Sequence, residues 1–132
     1  MNVGTRGVIT FVLDGQTKSV YQHWDSYEEH TIPKLLAFLK WNEGRNDQLD
    51  YTVANFVFYC KMTDYLQQTH EKPTMANIKK AIMKPNRNDG FHTGYGIVDQ
   101  SMEKSWQIEF VYRVDLRTLQ IEVNPSSLEV YQ

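Results

Sequence analysis

GVITFVLDGQTKSVYQHWD, residues 7–25, decides the fold. Gly7 to Leu13 is apolar and rich in β-branched residues, which suits a strand. Asp14-Gly15 follows, and both positions tolerate the positive φ that a two-residue hairpin turn needs. Thr17 to Asp25 then returns as the second strand. Side chains alternate along a strand, so Val20, Gln22 and Trp24 share one face. Ser19, Tyr21, His23 and Asp25 share the other.

A second set of strands lies near the other end of the chain. Tyr95 to Asp99 is a short one. Trp106 to Asp115 alternates, with Trp106, Ile108, Phe110, Tyr112 and Val114 on one face and Glu109, Arg113 and Asp115 on the other. The link Asp115 to Thr118 reads as a short hairpin loop. Leu119 to Val123 returns with Leu119, Ile121 and Val123 inward, and Leu128 and Val130 add an edge strand.

Helical spacing fills the middle. Ile32, Leu35, Leu36, Phe38 and Leu39 mark a helix over Thr31–Trp41, with Pro33 tolerated in the first turn. The Gly44 region is a polar loop. Asp50–Gln68 is the longest helix, and its apolar residues cover more than one stripe. Such a helix is either central to a core or part of an oligomer contact. Thr74 caps a third helix ending near Met83. Separate runs of strands and helices give an α+β class. The expected architecture is an antiparallel sheet from the N- and C-terminal hairpins with two or three helices packed on one face. A chain of 132 residues suits a single domain, 1–132.

Composition excludes several function classes. The formal net charge is −2, so a globally basic nucleic-acid binder is not expected. Cys60 is the sole cysteine, which leaves no internal disulfide and no Cys-rich zinc site. A reducing cytoplasm is the natural compartment. No apolar run reaches the roughly 18 residues that span a bilayer, and the N-terminus lacks the pattern of a secretory signal. No His-x-x-x-His or Glu-x-x-His motif is present, so neither a metal nor another cofactor is expected. Gly94-Tyr-Gly96 opens no helix and is not a dinucleotide fingerprint. Ser26 and Ser101 lack a Gly-x-Ser-x-Gly setting. Thr5 as an N-terminal nucleophile would need removal of residues 1–4, for which there is no signal.

Two segments carry candidate chemistry. In the first, Tyr21, His23, Trp24 and Asp25, a regular strand puts the His23 imidazole and the Asp25 carboxylate on one side. That pairing raises imidazole basicity and suits acid–base work, although neither a nucleophile nor an oxyanion site accompanies it. In the second, no acid interrupts the chain from Lys72 to Arg87, and a Gly-containing stretch with aromatics follows. Lys84 and Arg87 suit a phosphate, and Phe91, His92 and Tyr95 suit a stacked base. Arg6 at the strand entry could hold a carboxylate or phosphate through its fork, or pair with an acid across the sheet.

The segments Gly4-Thr-Arg-Gly7, Asp14-Gly15 and Tyr21-Gln-His-Trp-Asp-Ser-Tyr27 together resemble a family of small bacterial and phage proteins. Its members open with Gly-Thr-Arg, a hairpin and a Tyr-x-x-Trp/Phe-Asp-Gly/Ser-Tyr-Pro motif. Glu28 here stands where that family often has Pro. The resemblance covers about the first 27 residues and implies the same order of elements and a bacterial or phage setting. It brings no catalytic residue with it.

The function read from these features is a non-enzymatic binding protein. Its partner is a small phosphorylated or nucleotide-like ligand, or a host protein that a phage-type accessory factor inhibits. The ligand-binding set is Tyr21, His23, Trp24, Asp25, Lys84, Arg87, Phe91, His92 and Tyr95. Two alternatives stand beside it. One is a small hydrolase or transferase using the His23/Asp25 pair. The other is an oligomeric scaffold, homodimer or larger, using the apolar helix. Nucleic acid and membrane are not expected partners.

Overall fold

The computed structural model describes residues 5–83 and 93–125. The strands are β1 (Gly7–Leu13), β2 (Gln16–Gln22), β3 (Tyr95–Val98), β4 (Phe110–Asp115) and β5 (Ile121–Val123). Between β2 and β3 come the helices α1 (Glu28–Trp41), α2 (Leu49–Thr69) and α3 (Met75–Ile82). A 3₁₀ segment, Gln100–Lys104, joins β3 to β4. The class is α+β, with a mostly antiparallel five-stranded sheet in the order β3-β2-β1-β4-β5.

The hairpin turn forms where the sequence places it. Asp14 and Gly15 take φ of 52° and 80°, and Leu13 faces Gln16 across the turn. β2–β3 and β4–β5 are also antiparallel. The centre departs from the expected all-antiparallel sheet: β1 and β4 run parallel, with Gly7 opposite Phe110 and Val12 opposite Asp115. β3 occupies the outer side of β2, so β1 offers the free edge. Three helices and the 3₁₀ segment supply the long crossover that parallel pairing requires. The register sets Ile9 beside Tyr112 and Phe11 beside Val114, which aligns the core face of both strands. Val8, Ile9, Thr10 and Phe11 are all fully buried, as expected of a central strand covered on both faces.

On one face lie α1 and α2. Phe11 from β1, Phe38 from α1 and Phe56 from α2 meet edge-on, with centroids 5.0–6.1 Å apart. Val53, Phe56 and Cys60 line the buried side of α2, while Tyr51 and Phe58 face outward. Burial pushes the Cys60 thiol up to about 12, so it stays protonated and unreactive at neutral pH. Pro33 sits in the second turn of α1, because the helix begins at Glu28. Thr74 caps α3 as expected, accepting from the Asn77 N–H at 3.2 Å.

The other face is covered by the 3₁₀ segment, an element absent from the sequence reading. Glu103 from this segment is buried against Thr10 and Arg113. β4 starts four residues later than expected. Ser105 N–H and Ile108 N–H donate to Met102 and Ser105 carbonyls, so a turn consumes the backbone groups a strand would use. Trp106 is consequently 88% exposed instead of facing inward. Leu119 is also exposed. It takes φ of 61° in a turn that Asp115 closes by accepting the Arg117 and Thr118 N–H groups. Leu128 and Val130 lie outside the described residues.

Gly7 is required by a close approach. A Cβ there would stand 2.7 Å from both Cβ and Oγ of Ser26. Ser26 is pinned in place: its N–H donates to Thr5 O, and its carbonyl accepts from the buried Tyr112 hydroxyl. Gly7→Ala should therefore destabilise the protein by about 1–3 kcal/mol, the usual cost of overpacking. Thermal unfolding beside Gly7→Ala/Ser26→Gly checks this; the second change should recover part of the loss.

Candidate functional site

β2 ends at Gln22, and the chain then turns sharply, with Asp25 in the left-handed region at φ 55°. Asp tolerates that region better than most residues because its short polar side chain bonds locally. The turn is held from below by Gln22, which is fully buried. The two N–H groups of its amide Nε2 are shared among the Trp24 and Asp25 carbonyls and the Ser26 and Thr31 hydroxyls, 3.1–3.3 Å away. Its Oε1 accepts from Lys34 Nζ at 2.9 Å. Lys34 also donates to the Tyr95 hydroxyl at 2.8 Å, and that hydroxyl donates to Asp64 Oδ2 at 2.5 Å. Burial, then the neighbouring Cys60 and Asp64, push the Tyr95 phenol upward, so it remains a donor. A polar chain thus runs from the β2 exit through α1 to α2.

Above this chain lies a cleft of about 760 Å³ lined by Trp24, Asp25, His30, Asp64, Gln67, Gln68 and His70. Trp24 and Asp25 come from the turn and His30 from the first turn of α1. The other four come from the C-terminal end of α2. His70 ends that helix at φ 58°. Two walls of the cleft therefore rest on non-glycine residues in a sparsely populated backbone region, a feature that clusters at ligand sites. The lining carries two carboxylates, two side-chain amides and two imidazoles. Among the described residues no group of three or more His, Cys, Asp or Glu is arranged to hold a metal.

The expected His23/Asp25 pair does not form. Its premise was a strand running to Asp25, and the left-handed turn breaks that alternation. The His23 Nδ1 instead bonds to the Tyr21 hydroxyl at 2.6 Å. Trp24 and Asp25 line the cleft, whereas Tyr21 and His23 lie beside it; the His23 ring meets Trp24 edge-on at 4.9 Å. The Tyr95 ring is buried in the core and reaches the cleft wall only through its hydroxyl. Lys84, Arg87, Phe91 and His92 lie outside the described residues. The chain beyond them is anchored here, since the His23 N–H donates to Gly94 O at 2.9 Å.

Sequence periodicity does not single out His30, His70, Asp64, Gln67 or Gln68. The signal for the last three was present: positions 64, 67 and 68 share one helical face. They put three polar side chains together on one face at the C-terminal end of α2. Comparison with family models, curated proteins and solved structures yields no match for this chain. No helix among the described residues is long and apolar enough to cross a membrane.

Proposed function

We propose that the protein is a non-enzymatic binding protein whose nucleotide-like ligand occupies the cleft beside Trp24. The observation that carries this reading is the cleft itself. Its volume of about 760 Å³ falls within the range of small-molecule sites. Its carboxylate and amide side chains can meet the donors and acceptors of a base edge, and Trp24, 39% exposed, offers a ring for stacking. Asp25 and Asp64 would repel a phosphate, so the phosphate points away from both; Lys84 and Arg87, which the sequence marks as phosphate-binding, are its expected partners. The buried chain from Gln22 to Asp64 supports binding by fixing the walls before the ligand arrives. The resemblance of residues 4–27 to small phage and bacterial proteins suggests sequestration of a host nucleotide signal as the setting.

The test is calorimetric titration with adenosine and guanosine monophosphates. Base stacking contributes about 1–3 kcal/mol and a charged hydrogen bond to phosphate about 1.5–3 kcal/mol. Trp24→Ala and Arg87→Ala should each weaken binding about tenfold or more, with melting curves close to wild type. Affinities equal to wild type in both variants, or no binding of either nucleotide, would overturn the proposal.

A further inference from the structure

We infer that Arg6, Tyr21 and His23 form an oxyanion-binding site on the sheet face turned away from α1 and α2. Tyr21 alternates with the core residues Val20 and Gln22, which puts its side chain on that face. Arg6 precedes β1, with its carbonyl tied to the Glu109 and Phe110 N–H groups, so the base of its side chain is held in place. The described arginines otherwise have acceptors: Arg45 meets the Gln48 amide, Arg113 meets Glu103 and Arg117 meets Asp14. Among the described residues Arg6 meets neither a carboxylate nor an amide oxygen, and its Nε is shut off from solvent with no hydrogen-bond partner. A buried donor without an acceptor is costly, and a guanidinium fork matches the two oxygens of a carboxylate or phosphate.

The neighbours complete a donor set. Gly7 faces Gln22 and Val8 faces Tyr21 across β1 and β2, which sets Arg6 opposite His23 on the face that carries Tyr21; there its charge opposes the upward push of burial on the Tyr21 phenol. Burial first, and the Arg6 charge second, hold the His23 imidazole below its ordinary value, so it is neutral at pH 7. In the tautomer whose Nδ1 accepts from the Tyr21 hydroxyl, 2.6 Å away, Nε2 carries the ring proton and is a second donor. Among the described residues, Arg6 is the charged group acting on His23, and Tyr21 is its hydrogen-bond partner. The site needs no occupant in the cleft and goes beyond that reading, although the two adjoin at Trp24.

The experiment is a titration of the full chain with sodium phosphate and, separately, sodium acetate at constant ionic strength. The His23 ring is followed by NMR and affinity by calorimetry. Binding an anion offsets the Arg6 charge, so the His23 titration midpoint should move upward. Movement with phosphate alone assigns the site to phosphate groups; movement with acetate as well assigns it to carboxylates too. Arg6→Gln should abolish the movement and weaken binding at least tenfold. Arg6→Lys keeps a charge without the fork and should weaken it less; it also serves if the Gln variant fails to fold. A His23 midpoint indifferent to both anions, or Arg6 variants that bind like wild type, would overturn the inference. The nucleotide titrations of the cleft, read on Trp24→Ala, would stand or fall separately.

Discussion

Phe56→Ala should cost about 3–5 kcal/mol of folding stability, the usual range for truncating a buried phenylalanine. Phe56 is fully buried and sits where β1, α1 and α2 meet. Its ring is 5.2 Å from Phe11 on β1 and 5.0 Å from Phe38 on α1, both edge-on. Removing it deletes both aromatic contacts and leaves a cavity whose walls belong to different elements. Those walls cannot close without moving a helix against the sheet, which places the cost toward the upper end. Phe58 provides the control. It lies on the same helix but is 47% exposed, and its truncation should change stability by about 0.5 kcal/mol or less. Urea unfolding of both variants reads the difference, with unchanged slopes confirming a common unfolded state. A Phe56→Ala loss below about 1 kcal/mol would mean that the core is not packed as described.

That contrast also shows what the sequence made legible. The hairpin was readable because Asp14-Gly15 imposes a local backbone requirement, and the helices because their apolar spacing is local too. Periodicity alone does not say which stripe of α2 faces the sheet, since Val53, Phe56, Val57 and Phe58 cover much of the helix. The parallel pairing of β1 with β4 was hidden for a related reason. It depends on where the crossover returns, and no short-range pattern encodes that. The candidate site was half legible. Trp24 and Asp25 stood out as unusual residues at a strand end. The α2 contribution from Asp64 to His70 becomes a site only when the helix end is brought over the turn. The His23/Asp25 pairing failed because strand alternation was extended past Gln22, where the buried Gln22 amide captures the Trp24 and Asp25 carbonyls and bends the chain away.

Glu103→Ala should be the most damaging polar substitution, at about 3–5 kcal/mol, the range for removing one partner of a buried ion pair. The Glu103 and Arg113 side chains are 1% and 7% exposed. Glu103 Oε1 accepts from Arg113 Nη2 at 2.7 Å, and its Oε2 accepts from the Thr10 hydroxyl at 2.6 Å. Thr10 is in turn 2.7 Å from the Ser19 hydroxyl. One carboxylate on the 3₁₀ segment thus ties together β1, β2 and β4, and its loss removes a buried counter-charge of Arg113 and an acceptor of Thr10. Glu103→Gln keeps an oxygen for Thr10 but not the charge, so it should fall between wild type and Glu103→Ala. The double variant Glu103→Met/Arg113→Met separates the value of the pair from the cost of breaking it. Water-free ion pairs and apolar replacements of similar volume are often close in stability, so the double variant should be more stable than Glu103→Ala alone. Denaturant unfolding of the four proteins decides this. A Glu103→Ala loss within about 1 kcal/mol of wild type would mean that water reaches Arg113 and that the 3₁₀ segment does not seal this face. A double variant no better than the single one would instead assign the cost to packing of the segment rather than to stranded charge.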